Sequence, residues 1–127
     1  MFEPFRHLYR LADHYFREAT KGISPYWDEC RNDFLIEHPK CAACGTTRHL
    51  AVHHVKPIDN DVTRESDWTN LMTLCAEDHF RLGHGKDWSA RVPDIREIVV
   101  ELNIQPALRP LLEEKAHKHR VYFGKTK

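Results

Sequence analysis

The stretch from Cys41 to His84, CAACGTTRHLAVHHVKPIDNDVTRESDWTNLMTLCAEDHFRLGH, decides the fold of this chain. It contains three of the four cysteines and five of the ten histidines in about a third of the 127 residues. Thiolate and imidazole are the groups that bind zinc and related ions most readily. Their density here predicts a metal-dependent domain.

Length and composition predict one globular domain over residues 1–127. We expect a helix over 2–20 and a helical extension over 93–122. No apolar run approaches the roughly 18 residues that span a bilayer, and the charged N-terminus does not resemble a signal peptide. Unpaired cysteines then favour a reducing cytoplasm and no membrane partner. The formal net charge is zero, so any contact with a polyanion depends on local clusters such as the basic tail after Leu112.

The spacing Cys41-Ala-Ala-Cys44-Gly45 is typical of a zinc knuckle, in which two thiolates hold one ion and glycine lets the backbone turn. A redox dithiol is the alternative, but such a pair usually follows a strand and opens a helix. Here a helix is predicted before the pair, with Ser24 as its cap and Pro25 in its first turn. Cys30 lies on the apolar side of that helix and is expected to be a small buried side chain, with metal ligation as the alternative.

After the knuckle, residues 49–55 alternate enough to predict a strand, on which His53 and His54 face opposite sides. Two neighbouring histidines with different surroundings suit two different roles. Residues 57–68 form an acidic polar loop. Residues 69–85 read as a short turn into a helix that carries His79 and His84, a pair spaced more loosely than the ideal i, i+4. Residues 87–93 read as a connecting loop. Two further helices are expected after it, the last broken at Pro110 and carrying solvated histidines.

The elements CAAC, HHVKP, TNL, LCAEDH and GHG occur in the order of the HNH endonuclease family, which this chain resembles over about residues 24–92. The resemblance implies an α+β fold, a ββα-metal (His-Me finger) core with a structural zinc knuckle, flanked by N-terminal and C-terminal helices. It also implies that His53 and His79 bind a catalytic divalent ion such as Mg²⁺ or Mn²⁺, with His84 as a further ligand. His54 matches the general base, and Asn70 matches the residue that braces the loop carrying the base or assists at the metal.

Many relatives hold structural zinc with two CxxC pairs, but this chain has Asp78 where the fourth cysteine is expected. One possible ligand set is therefore Cys41, Cys44, Cys75 and Asp78, since a carboxylate can also bind zinc. In the other, His79 completes the zinc site and the catalytic ion is bound by His53 and His84. Both arrangements remain open at the level of the sequence.

The family resemblance predicts a nuclease that hydrolyses DNA phosphodiester bonds, because a neutral imidazole can take a proton from water near pH 7 and a cation can stabilise the developing charge. Lys56, Arg81 and Lys86 are candidate phosphate contacts, with a purely solvated role as the alternative for each. A protein partner could supply specificity. The competing functions are a zinc module that binds nucleic acid or protein without catalysis, and a redox dithiol protein.

Overall fold

A computed structural model describes residues 26–56 and 65–122 of the chain. The helix predicted over 2–20 and the expected helix start at Ser24 and Pro25 lie outside these residues. Within them, short antiparallel strand pairs combine with helices, which confirms the expected α+β class. None of the helices in the described ranges is long and apolar enough to cross a membrane.

A two-stranded hairpin forms the centre of the fold. Strand β1 (Leu50–His54) pairs antiparallel with strand β2 (Leu71–Cys75), and His53 lies opposite Met72. All of β2 is buried, so both of its faces contact the protein interior. Helix α1 (Trp27–Glu37) covers the side of the hairpin on which Val52 lies.

The prediction that residues 71–75 begin a helix is wrong. A run of five apolar or small residues does not distinguish a buried strand from a buried helix by periodicity. Pairing with β1 decides the outcome, because it gives this fully buried segment backbone hydrogen-bond partners. The helix begins only after Cys75, as α2 (Ala76–Asp78), and continues as a π-helical turn over His79–Gly83.

The C-terminal part packs against this centre. Strand β3 (Ala90–Arg91) pairs with β4 (Val121–Tyr122), where the sequence predicted only a connecting loop and a helix end. Helix α3 (Ile95–Ile104) and helix α4 (Arg109–His119) lie between the two strands in the chain. The break predicted at Pro110 lies just before that residue: a short 3₁₀ helix (Pro106–Leu108) ends there, and Pro110 lies in the first turn of α4, where its missing N–H costs no helical hydrogen bond.

The buried apolar side chains form two clusters on either side of the hairpin. The larger includes Leu74, Leu82, Ile98 and Leu112 and joins β2 to the π-helical turn, α3 and α4. The smaller joins α1 to Val52, Trp68 and Leu71. Cys30 lies fully buried in the smaller cluster, in agreement with the prediction of a small core residue.

Candidate metal centres

The knuckle after α1 brings three cysteines and Asp78 together, and their ligand atoms all lie within 4.8 Å of one another. Cys44 Sγ is 3.9 Å from Cys75 Sγ, and Cys41 Sγ is 3.4 Å from Asp78 Oδ2. Tetrahedral zinc with Zn–S bonds of about 2.3 Å separates two thiolates by about 3.8 Å, and a thiolate from a carboxylate oxygen by about 3.5 Å. The donor set and its spacing fit zinc.

Backbone hydrogen bonds hold the knuckle in this shape. The Gly45 N–H donates to the Cys41 carbonyl at 2.8 Å, and Gly45 adopts a φ of 80°, where a side chain would be strained. The Ala42 N–H donates to the Thr73 carbonyl at 2.8 Å, which fixes the knuckle to β2. Cys75 stands at the end of the same strand, so the hairpin positions both halves of the site.

Two thiols of this cluster, those of Cys44 and Cys75, are poorly suited to ionise without a cation. Burial raises the pKa of the Cys75 thiol to about 12, and burial also raises the pKa of Cys44 above its ordinary value. A catalytic redox cysteine needs the opposite shift, towards a stable thiolate. These pKa directions disfavour the redox dithiol and favour a site whose thiolates form when a metal binds.

Asp78 is buried beneath the knuckle and paired with a cation from the C-terminal extension. Arg109 Nη1 lies 2.8 Å from Asp78 Oδ1, and Arg109 Nη2 lies 3.3 Å from Oδ2. Burial alone would raise the pKa of the Asp78 carboxyl, but the hydrogen bond and charge of Arg109 hold it below its usual range. Asp78 is therefore ionised near neutral pH, as a zinc ligand must be, and Arg109 offsets part of the negative charge of the ligand set.

A second cluster consists of three histidines. His53, His79 and His84 each place a ring nitrogen within 4.8 Å of the others, and His79 Nε2 lies 3.2 Å from His84 Nε2. His53 is 1% exposed, yet its Nε2 has no hydrogen-bond partner among the described residues. A buried nitrogen without a partner is costly. Its cost is removed if the nitrogen binds an ion, so the cluster fits a divalent metal.

The environment keeps these three imidazoles neutral. Burial, followed by the charges of His79, His84 and Arg91, lowers the pKa of His53 to about 2. Burial and the neighbouring charges of His84 and Arg91 lower the pKa of His79 to about 4. Burial and Arg91 likewise lower the pKa of His84 to about 4. Neutral rings with available lone pairs are the form that binds metal.

The π-helical turn explains how residues five apart can share one site. A π turn closes with i to i+5 hydrogen bonds, whereas an α turn brings together residues four apart. His79 opens the turn and His84 follows its last residue, Gly83. The spacing that was too loose for an α-helix therefore fits the helix that is present.

Gly83 leaves room for the ring of His53. A Cβ built at Gly83 would lie 3.0 Å from Cε1, 3.1 Å from Nδ1 and 3.3 Å from Nε2 of His53. All three distances are shorter than the ordinary contact range, which begins at 3.4 Å. The absence of a side chain at Gly83 thus allows the strand histidine to approach the two helix histidines.

The orientation of His84 is set by the strand that follows it. His84 Nδ1 lies 2.7 Å from the Ala90 carbonyl oxygen, and Arg91 Nη1 lies 2.8 Å from the same nitrogen. The carbonyl only accepts and the guanidinium only donates, so the two compete for Nδ1. When Nδ1 carries the proton and donates to Ala90, Arg91 donates to that same carbonyl at 3.4 Å and the Nε2 lone pair is directed at His79. That is the tautomer that an Nε2 metal ligand requires.

His54 lies outside both clusters, on the opposite face of β1 from His53. Its ring packs on Trp27 with centroids 4.7 Å apart, and its Nε2 is 2.9 Å from the Glu65 carbonyl oxygen. Because that oxygen can only accept, Nε2 carries the proton and Nδ1 of the neutral ring is the basic nitrogen. The sequence-based expectation that the two histidines have different surroundings is confirmed.

Asn70 holds the backbone immediately after β1. Its side-chain oxygen accepts the Lys56 N–H at 2.8 Å, and its Nδ2 donates to the Lys56 carbonyl at 3.0 Å. The Asn70 backbone carbonyl also accepts the Val55 N–H at 2.9 Å. The side chain is buried, and its contacts with Lys56 are those of a brace for this backbone.

The three predicted phosphate contacts occupy different surroundings. Lys56 and Lys86 are exposed, and Lys86 has a φ of 71°. Arg81 is half-exposed and pairs with Glu77 at 3.5 Å and Glu113 at 3.8 Å. Arg81 therefore already has acidic partners, whereas both lysine side chains face solvent.

Several residues around the two clusters were not predicted from the sequence. Arg109 comes from a helix 31 residues after Asp78, and Arg91 from a two-residue strand. Trp88 contacts His84 with centroids 4.7 Å apart and His79 at 5.1 Å. No local pattern identifies such long-range partners, although a tryptophan in the otherwise polar segment DWSAR could have been singled out.

Residues 41–85 match the family model described as HNH endonuclease. The match begins at the first cysteine of the knuckle and ends just after His84, so it covers both clusters and the hairpin between them. No curated protein and no solved structure gave a significant match to the chain. The family match agrees with the order of the sequence elements, and the segment from Cys41 to Gly85 is similar to an HNH endonuclease domain.

Proposed function

We propose that this protein is a metal-dependent endonuclease that hydrolyses DNA phosphodiester bonds, with His54 as general base and one divalent ion held by His53, His79 and His84. One observation carries the proposal. Two adjacent histidines on β1 face different surroundings, one in a buried imidazole cluster and the other with a basic nitrogen outside it. A zinc scaffold without catalysis has no need of this second arrangement.

The three histidines would hold the catalytic ion, and three protein ligands leave coordination positions for water and phosphate oxygens. When bound, the ion supplies Lewis-acid stabilisation of the charge that develops on the phosphate and on the leaving oxygen. All three ring nitrogens come from neutral imidazoles in a buried site, so a divalent cation there keeps its full charge. We propose Mg²⁺, Mn²⁺ or another divalent ion for this role, because imidazole ligands also suit softer ions such as Ni²⁺.

His54 would take a proton from the attacking water at Nδ1. The Nε2–H bond to the Glu65 carbonyl fixes the ring and its tautomer, and the developing imidazolium is stabilised by that same carbonyl. Trp27 packs on the ring and limits its rotation. Asn70 would act indirectly, because its two bonds to Lys56 hold the backbone that follows the base.

Substrate phosphates would be contacted by cations at the edge of the site. Arg91 lies beside His84 and can direct its guanidinium to an anion in the imidazole cluster. Lys56 follows the base in the chain, and Lys86 follows the last metal-binding histidine. We assign Arg81 a lesser part, since Glu77 and Glu113 already neutralise it.

Structural zinc would be held by Cys41, Cys44, Cys75 and Asp78. The geometry favours this set over one with His79, because Asp78 groups with the cysteines and His79 with the other histidines. We further propose that the protein acts in a reducing compartment such as the cytoplasm, where thiolates remain available to zinc.

The decisive experiment is plasmid nicking in Mg²⁺, Mn²⁺ or Ni²⁺ by the full chain and by His54→Ala. We expect loss of about 10²-fold to 10⁴-fold in rate, the range that general-base catalysis contributes. The zinc content and the circular dichroism spectrum should be unchanged. The matched control is His119→Ala, which removes an exposed histidine on α4 that pairs with Asp94.

Equal cleavage by the His54→Ala and wild-type proteins would exclude His54 as the base. A wild-type protein that contains zinc and binds DNA, yet cleaves none in any of these ions, would support the alternative of a binding module. Absence of tightly bound zinc would contradict both readings.

A further inference from the structure

Trp88 is an exposed aromatic side chain at the edge of the imidazole cluster. It is 57% exposed, although tryptophan is usually well buried. Its ring centroid lies 4.7 Å from that of His84 and 5.1 Å from those of His79 and Phe80. An exposed aromatic ring therefore adjoins two of the three candidate metal ligands.

The loop that carries Trp88 is held in place by hydrogen bonds at Asp87. The Asp87 carboxylate accepts the Ser89 N–H at 2.9 Å and the Tyr122 hydroxyl at 2.7 Å. The Asp87 N–H donates to the His84 carbonyl at 3.1 Å, and the Asp87 carbonyl accepts the Ala90 N–H at 2.9 Å. The aromatic ring is thus preorganised beside the cluster.

The position of this ring suits contact with a nucleotide next to the scissile phosphate. Successive nucleotides of a stacked strand rise by about 3.4 Å, so a ring about 5 Å from the metal-binding imidazoles is within one or two nucleotides of a phosphate bound there. Exposed aromatic rings bind nucleobases by stacking, without a requirement for a particular base. Bases inside an intact duplex are already stacked on both faces and cannot use such a ring.

We propose that Trp88 is a stacking platform for an unpaired base of the DNA strand being cut, so that the site favours single-stranded or locally unpaired DNA over intact duplex. This inference rests on the proposed nuclease function, because the position of the scissile phosphate defines which base reaches the ring. Trp88 acts in substrate binding and positioning, and takes no part in proton transfer.

Binding should be measured in the His54→Ala background, in which hydrolysis is expected to be slow, by anisotropy of a fluorescein-labelled single-stranded oligodeoxynucleotide. Trp88→Leu should weaken binding by about tenfold or more, the typical effect of removing one stacking contact. Trp88→Phe should retain most of the affinity. Binding to a fully paired, closed-end duplex should change little. The matched control is Ile104→Ala, which truncates a 77% exposed apolar side chain on α3 and should have no effect.

A thermodynamic cycle separates stacking from other contacts. Abasic sites are placed at successive positions of the oligonucleotide. At one position, the abasic site should weaken binding by a similar factor when the protein retains Trp88. The same abasic site should cause no further loss of affinity when the protein carries Trp88→Leu. The inference would be overturned if Trp88→Leu bound the single strand as tightly as the protein that retains Trp88. It would also be overturned if the abasic site and the substitution weakened binding independently. Plasmid cleavage without a Trp88 effect would overturn the platform alone, whereas a positive cycle without cleavage would overturn the nuclease alone.

Discussion

Substitution of Gly83 by alanine should weaken metal binding at the histidines and leave the zinc knuckle intact. The new Cβ would lie 3.0 Å from Cε1 of His53, and ordinary contacts begin at 3.4 Å. The imidazole must therefore move by about 0.4 Å, twice the deviation of about 0.2 Å that metal–ligand distances tolerate. His53 is 1% exposed, so it cannot relieve the contact by turning into solvent. We expect about a 10-fold to 100-fold loss of affinity, comparable to loss of a group that orients a ligand.

The assay is calorimetric titration of Mn²⁺ or Ni²⁺ into zinc-loaded protein, with zinc stoichiometry measured in parallel. The control is Glu77→Ala in the preceding turn, whose side chain is 71% exposed and lies away from the imidazoles. Alanine in place of glycine favours a helix by about 1 kcal/mol, so general destabilisation is not expected to cause the loss. Wild-type affinity in Gly83→Ala would refute the reasoning, as would loss of zinc together with the second ion.

Two further predictions concern the knuckle. Removal of zinc by a chelator, or Cys75→Ser, should abolish the cooperative unfolding transition followed by circular dichroism. Structural zinc contributes on the order of 10 kcal/mol to the stability of small domains. A metal-free protein with an unchanged melting curve would contradict a structural role for zinc. Arg109→Ala should lower the free energy of unfolding by about 1.5 to 3 kcal/mol in urea denaturation, since it removes charge-assisted hydrogen bonds from the buried Asp78. Arg109→Lys should restore only part of that loss because lysine cannot form the bidentate pair, and full stability in the alanine variant would show that the pair contributes nothing.

Local patterns predicted the metal-binding knuckle and the first strand of the hairpin. The CxxC spacing followed by Gly45 predicts a tight turn. The alternation of residue types over 49–55 predicts a strand, which places the side chains of His53 and His54 on opposite faces. Both follow from backbone geometry alone, and both are confirmed. The apolar run 71–75 lacked such a signal because both faces of the strand are buried, which removes the alternation that would identify it.

The parts of the site that were not predicted depend on distant segments. Arg109 reaches Asp78 from α4, and Arg91 reaches His84 only because β3 pairs with a strand 30 residues further along the chain. The space that Gly83 leaves for His53 likewise exists only once the helix packs on the hairpin. Tertiary packing determines these contacts, and the sequence near each residue contains no trace of them.

The π-helical turn between His79 and His84 also bears on how such sites can be recognised. A helical metal-binding pair is commonly sought at a separation of three or four residues, which assumes an α-helix. One added residue, absorbed as a wider turn, preserves the convergence of the two rings while changing their separation in the chain. A pattern search with a fixed α-helical interval would reject this pair, so tolerance of a single insertion is needed to find other domains built in the same way.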